Sequence, residues 1–363
     1  MEERIVAGLY IHIPFCKKRC LYCDFFSTTR LERREAYIDA VCKELEMRID
    51  EAGEPIETVY IGGGTPSTLP IELLSRINSV KTPLKLRQSS IELNPGDATP
   101  EYLRALREAG FDRLSIGIQS FQDELLQLIG RRHNARQATE AVRMAQEAGF
   151  DNLSIDLMYA LPGQTMAQWE ADIQTALSLG VQHISSYGLM YEEGTALTRM
   201  VEDGSLTPMD EDEENAMYDL LCTRLKQAGF VHYEVSNFAL PGYESVHNSN
   251  YWNGTPYIGI GAGAHSYIPP VRSWNPDDLE AYIQGIQTGT LVRESETLTE
   301  TDLYNERIML GLRTCQGIPQ SLVRQDVSGH IEAGLLRVTP EGNIVATQQG
   351  LHLLNRIIED LMI

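Results

Sequence analysis

Six short apolar runs alternate with amphipathic stretches over the first two thirds of the chain, and that alternation restricts the fold more than any other feature. GLYIHI (8–13), TVYIGGG (58–64), SSIELN (89–94), RLSIGIQS (113–120), NLSIDLMYA (152–160) and HISSYGLM (183–190) read as strands. Between them REAYIDAVCKELEMRI, TPEYLRALREAG, ARQATEAVRMAQEAG and TMAQWEADIQTALSLG carry helical periodicity. Several end in glycine, as helix C-termini do. Six strand–helix units in a row call for parallel strands, right-handed crossovers and a sheet covered by helices. The expectation is an α/β fold built on a partial, six-unit (β/α) barrel. Eight units would fit within 363 residues, but six are countable.

After about residue 240 the pattern changes. YEVSNFALPGYESVHNSNYWNGTPYIGIGAGAHSYIPP is rich in Gly, Pro, Asn and Tyr and reads as short strands and loops. From about 298, TETDLYNERIMLGLR and LHLLNRIIEDLM read as helices, and LLRVTPEGNIVATQQG as a hairpin turning at Pro-Glu-Gly-Asn. Helices with a hairpin wing suggest a small α+β, winged-helix-like module. The domains expected are 1–240, 241–297 and 298–363. With 51 Asp+Glu against 30 Lys+Arg the net charge is −21, which repels nucleic acid and anionic lipid over most of the surface. The wing is therefore expected to pack against the first domain or a partner rather than to bind nucleic acid. No apolar run approaches the roughly 18–20 residues of a membrane span, and MEERIVAGLYIHIPF lacks the layout of a secretory signal. A cytoplasmic protein is expected.

Of six cysteines, Cys16, Cys20 and Cys23 crowd into eight residues while Cys42, Cys222 and Cys315 are scattered. That asymmetry points to a metal site in a reducing compartment. Thiolates separated by three and two residues on one loop can bind three corners of an iron–sulfur cubane. Asp24 and Phe25 follow and are not usual cluster ligands, so one iron of a [4Fe–4S] cluster stays open. The amino and carboxylate groups of S-adenosylmethionine can fill it, and electron transfer into the sulfonium can then break a C–S bond. The competing reading is a zinc site completed by His12. The loop follows the first strand, at the end where α/β barrels place their chemistry. Gly62-Gly63-Gly64-Thr65-Pro66 closes the second strand, as a close backbone approach to a ligand or as a tight turn. Glu92, Gln119 and Asp156 end the next three strands. Each alone reads equally as a strand-end cap, whereas together on one rim they point to a ligand. Arg131 is placed to pair with a carboxylate, or else is a solvated surface arginine.

These residues resemble the oxygen-independent coproporphyrinogen III oxidase family. The likeness lies in Tyr10-x-His12-x-Pro14-Phe15-Cys16, the cysteine loop, GGGTP, IELNP, GIQSF, GRRH and IDLMYALPGQT, and runs through essentially the whole chain. The family has two main branches. HemN proteins oxidatively decarboxylate coproporphyrinogen III; HemW proteins are haem chaperones that keep the radical-SAM scaffold. HemN has a further cysteine where Phe25 stands, and an N-terminal extension where seven residues precede Gly8. His247-Asn248-Ser249-Asn250-Tyr251-Trp252 looks like the HNxxYW motif proposed to contact haem in HemW. A neutral imidazole can ligate haem iron and Tyr and Trp rings can stack on a porphyrin, while a hydrogen-bonded loop histidine is the alternative for His247.

The resemblance implies that Cys16, Cys20 and Cys23 bind the cluster. It implies that Tyr10, Tyr22, Gly62, Gly63, Gly64, Thr65, Glu92, Gln119, Arg131 and Asp156 surround S-adenosylmethionine, with Met158 and Gly188 lining the same pocket. His247, Tyr251 and Trp252 would meet haem. The implied function is a haem chaperone delivering its cargo to acceptor haem proteins, such as membrane-bound respiratory enzymes, with a homodimer as an allowed assembly. Coproporphyrinogen III oxidation is the alternative, and another radical-SAM tetrapyrrole reaction a third. Whether the chain is an enzyme stays open at this point.

Overall fold

The computed structural model describes residues 6–81, 84–290 and 293–363. The signal-sequence reading of the N-terminus falls partly on residues 1–5, outside the described residues. Each predicted strand is present within two residues: β1 (Ala7–Ile13), β2 (Ile56–Gly63), β3 (Gln88–Leu93), β4 (Arg113–Gln119), β5 (Leu153–Tyr159) and β6 (His183–Gly188). They pair in parallel and in sequence order. Helices Arg34–Arg48, Ile71–Lys81, Pro100–Glu108, Ala135–Glu147 and Met166–Ser178 form the crossovers. Two start at capping boxes, Asn134 with Gln137 and Thr165 with Gln168, so the orphan amides of their first turns are satisfied.

Side chains alternate along these strands. Leu9, Ile11, Val59, Ile61, Ile91, Leu114, Ile116, Ile155 and Leu157 join the main apolar cluster under the helices. The intervening residues are largely polar or aromatic: Tyr10, His12, Tyr60, Glu92, Arg113, Ser115, Asp156, His183, Ser185 and Tyr187. The sheet thus presents one dry face to the helices and one hydrogen-bonding face to the inside of the curve.

The sheet does not stop at six strands, nor does it close. Six more, β7 (Val231–Glu234), β8 (Asn237–Ala239), β9 (Tyr257–Ile260), β10 (His265–Ile268), β11 (Val271–Trp274) and β12 (Glu294–Thr297), extend it on both edges. Its order is β12-β11-β10-β9-β1-β2-β3-β4-β5-β6-β8-β7. β9 runs parallel to β1, while β8 is antiparallel to β6. HNSNYW, expected in a loop, is the helix Val246–Trp252, started by the Ser245 side chain accepting from Asn248 N. At the C-terminal end, β13 (Ile318–Pro319), β14 (Leu336–Val338) and β15 (Asn343–Ala346) make a small antiparallel sheet. Here the predicted hairpin is β14–β15. The last predicted helix is in two pieces, Gln348–His352 and Leu354–Leu361. Tyr304, Ile308, Leu312, Ile344, Ile357 and Leu361 form a second apolar cluster under this sheet.

Candidate functional site

β1 runs directly into the cysteine loop, whose ends are pinned together by Cys16 N donating to Thr28 O (2.8 Å) and Thr28 N to Pro14 O (2.7 Å). Its tip is held from outside by Leu21 N to Ile129 O (3.1 Å) and by Leu197 N to Leu21 O (2.9 Å). Lys17 pairs with Asp97 (2.6 Å), which also takes Arg132 (2.9 Å) and Ser67 (3.0 Å). The loop is thereby tied to the segments beyond β2, β3 and β4. Arg131 Nη1 donates to Cys20 Sγ at 3.4 Å, and Thr65 Oγ1 lies 3.5 Å from Cys16 Sγ. Burial pushes the Cys23 thiol up to about 11 and raises Cys16 as well, so both thiols must give up a proton to ligate iron at neutral pH.

The triple glycine earns its composition by packing. A Cβ on Gly64 would sit 2.8 Å from the Pro14 carbonyl carbon and 3.0 Å from Cys16 Sγ. On Gly63, which has φ +113°, it would strike the His12 ring at 2.6 Å, and on Gly62 the Glu92 carboxylate at 2.8 Å. Gly63 faces the cavity described next, whereas Gly62 and Gly64 serve the close approach of strand and loop. His12 engages both ring nitrogens, Nε2 with Phe26 O (2.9 Å) and Nδ1 with Tyr10 OH (3.0 Å). It has no free nitrogen for zinc in this conformation.

A cavity of about 410 Å³ opens at the C-terminal ends of β1–β6. It brings together Tyr10, Cys20, Tyr22, Cys23, Gly63, Thr65, Glu92, Gln119, Arg131, Asp156, Met158 and Gly188, all picked out in the sequence, while Cys16 lies buried behind. Glu92 accepts from Tyr60 OH (3.0 Å) and Gly63 N (3.1 Å). Desolvation, then the nearby Asp156 carboxylate, pushes its pKa up to about 8. Asp156 accepts from Ser115 (3.0 Å) and is raised too, mainly by burial. Arg131 holds Gly117 O and Cys20 Sγ, yet its buried Nε has no partner. Gln119 sits at φ +76°, where β4 bulges against β5, a conformation that costs a non-glycine residue about 1–3 kcal/mol. Three charged or hydrogen-bonding groups, Glu92, Asp156 and Arg131, set into a polar wall with a strained residue at the rim, describe a site built for a charged ligand. Tyr187, Leu189, Met190, Asn94 and Glu192 also line it and were not anticipated. Only Tyr187 had a signal, lying two positions past Ser185 on the inward register of β6.

HNSNYW lies elsewhere. His247 is 1% exposed. Its Nδ1 is 2.9 Å from Thr58 Oγ1 and its Nε2 2.9 Å from Tyr251 OH. Burial lowers its pKa to about 3, so the ring is neutral. The ring also stacks on Tyr60 (centroids 5.4 Å apart), whose hydroxyl reaches Glu92. With Gly8 and Thr58 as neighbours, this helix plugs the barrel towards the N-terminal ends of β1 and β2. Of the three residues expected to meet haem, Trp252 alone lines a surface cleft. Both ring nitrogens of His247 are engaged, so neither is free for iron in this conformation.

The radical SAM superfamily model matches residues 10–176. The chain is 39% identical over 317 residues to the heme chaperone HemW of Bacillus subtilis, an alignment covering 85% of this chain and 84% of that protein. The chain belongs to the HemW family. HemW of Mycobacterium tuberculosis H37Rv is 35% identical, over 98% of this chain and 94% of its own. A zebrafish (Danio rerio) relative, radical S-adenosyl methionine domain-containing protein 1, mitochondrial, is 31% identical over all of this chain and 88% of its own. Among solved structures, coproporphyrinogen III oxidase (HemN) of Escherichia coli superposes with a TM-score of 0.84 over 99% of this chain and 90% of that one. Its 24% identity speaks to the fold alone. The sequence likeness favours the haem-chaperone branch over the oxidase.

Radical-SAM membership implies a [4Fe–4S] cluster and S-adenosylmethionine. The donor set fits both. Three thiols share one pinned loop, and beside them stand an arginine with an unspent N–H and a carboxyl held protonated by burial and by the neighbouring Asp156. No helix among the described residues is long and apolar enough to cross a membrane.

Proposed function

We propose that the chain is a cytoplasmic haem chaperone, carrying haem to acceptor haem proteins on a scaffold that holds a cluster and S-adenosylmethionine. Cys16, Cys20 and Cys23 hold three irons. Arg131 offers its free Nε–H to the methionine carboxylate, and Glu92 and Asp156 face the cationic amine and sulfonium. Tyr10, Tyr22, Gly63, Thr65, Gln119, Met158 and Gly188 wall the ligand in, with Gly62 and Gly64 supporting the wall. When bound, the pair supplies one-electron reduction of a sulfonium. The chain divides into a partial barrel (1–240), an extension (241–297) and a C-terminal module (298–363), the last with its own apolar cluster. Acceptors include membrane-bound respiratory enzymes, and a homodimer is the assembly to look for.

What carries this proposal is the 35–39% identity to proteins named heme chaperone, across 85% or more of this chain. Phe25 at the position of the extra HemN cysteine agrees with it. Anaerobically reconstituted protein given coproporphyrinogen III, S-adenosylmethionine and a reductant should form no vinyl-bearing porphyrinogen, and haem-loaded protein should pass haem to an apo-haem protein. Sustained decarboxylation without haem transfer would replace the proposal by the oxidase.

A further inference from the structure

Phe25 and Met190 are the most exposed large apolar side chains among the described residues, at 64% and 66%. They come from different segments, the cysteine loop and the stretch after β6, yet both line the mouth of one cavity. Tyr187, 41% exposed, stands beside them in the same lining. Water-facing apolar groups scattered singly need no explanation, but three gathered at one rim mark a surface meant to be covered. The charged groups of S-adenosylmethionine are matched elsewhere in the cavity, by Arg131, Glu92 and Asp156 of the polar wall.

We propose that Phe25, Tyr187 and Met190 form the face on which the haem macrocycle docks, edge-on to the S-adenosylmethionine cavity; this rests on the haem-chaperone reading above. Aromatic rings and a polarizable thioether suit a flat π-system with an apolar perimeter. Haem also carries two propionates on one edge. The loop that presents Phe25 has a run of three exposed cations, Lys17-Lys18-Arg19, on a chain of net charge −21. Lys17 is spent on Asp97, while Lys18 and Arg19 have no ion pair among the described residues. They are the cations at hand for those carboxylates. In HNSNYW, by contrast, His247 is buried and hydrogen-bonded to Tyr251, and Trp252 lines a different cleft.

The experiment is a haem titration of anaerobically reconstituted protein, followed in the Soret band, with iron content and S-adenosylmethionine affinity measured on each variant. Phe25→Ser and Met190→Ser, compared at matched iron content, should each weaken haem binding about tenfold or more, and the double variant further; an equal loss of S-adenosylmethionine affinity would assign the face to that ligand and overturn the proposal. Phe25→Trp should retain binding. Lys18→Glu with Arg19→Glu should weaken it in a salt-dependent way, and His247→Gln should retain most of it. Met190 lies outside the cysteine loop, so its variant stands as a test even if Phe25→Ser disturbs the cluster. A double Phe25→Ser, Met190→Ser variant that binds haem as tightly as wild type would overturn the docking face and leave the chaperone proposal standing. Absence of binding by wild type would instead remove the chaperone proposal on which the face rests.

Discussion

Replacing Glu92 by glutamine isolates the most perturbed carboxyl at the polar wall. Burial and Asp156 lift its pKa from an ordinary 4.5 to about 8, so the unliganded protein near pH 7 holds it protonated. The folded value lies above the unfolded one, so an ionised Glu92 costs stability. That cost is absent below pH 4.5, grows by about 1.4 kcal/mol per pH unit, and is complete above pH 8 at about 5 kcal/mol. A cationic ligand that needs the carboxylate must strip this proton whenever the pH is below 8. Its affinity for wild type should therefore rise about tenfold per unit between pH 6 and 8, relative to Glu92→Gln. The methionine amine titrates in the same range, but equally in both proteins, so the ratio of the two affinities reports Glu92 alone. Calorimetry of S-adenosylmethionine binding to cluster-loaded protein, in buffers of different ionisation enthalpy, gives affinity and proton release together. Wild type should release more protons than Glu92→Gln at pH 7, and the two should release equal numbers above pH 9. Parallel pH profiles would refute the assignment of Glu92 to the cation.

His247→Ala removes a buried ring and two 2.9 Å hydrogen bonds, and should lower unfolding free energy by about 2–4 kcal/mol in denaturant titrations; a loss under 0.5 kcal/mol would show that the ring is not held as described. Gln119→Gly relieves the φ of +76°, and should raise stability by about 1 kcal/mol while weakening S-adenosylmethionine binding, whereas Gln119→Ala should weaken binding without the gain. No gain in the glycine variant would mean that the backbone there is unstrained. Replacing any one of Cys16, Cys20 and Cys23 by serine should abolish cluster assembly, read as iron and sulfide content, and retention of a full cluster would reassign the ligands.

The strands and most of the cavity were legible because both depend on local pattern. Polar residues such as Glu92 and Asp156 interrupt otherwise apolar strands, and a period of two sends them to one face. Tyr187 follows the same rule, but an aromatic residue is an ordinary strand former and does not stand out there. What was not legible depends on pairing far along the chain. β9 joins β1 across roughly 250 residues, and nothing local to YIGI announces a parallel partner. The helix at HNSNYW was missed because Gly, Pro and Asn around it read as loop, although Ser245 carried the capping signal. Of the two readings open for His247, the hydrogen bonds of its ring nitrogens to Thr58 and Tyr251 agree with the hydrogen-bonded one. The triple glycine was noticed for closeness to a ligand, yet two of its three members are glycine for closeness to Glu92 and to the cysteine loop.

Haem binding by the reconstituted wild-type protein tests the central claim most directly. Titrated anaerobically with haem at stoichiometric concentration, it should develop a shifted Soret band that saturates at one haem per chain and survives gel filtration. An unshifted spectrum, with haem lost on the column, would contradict the account.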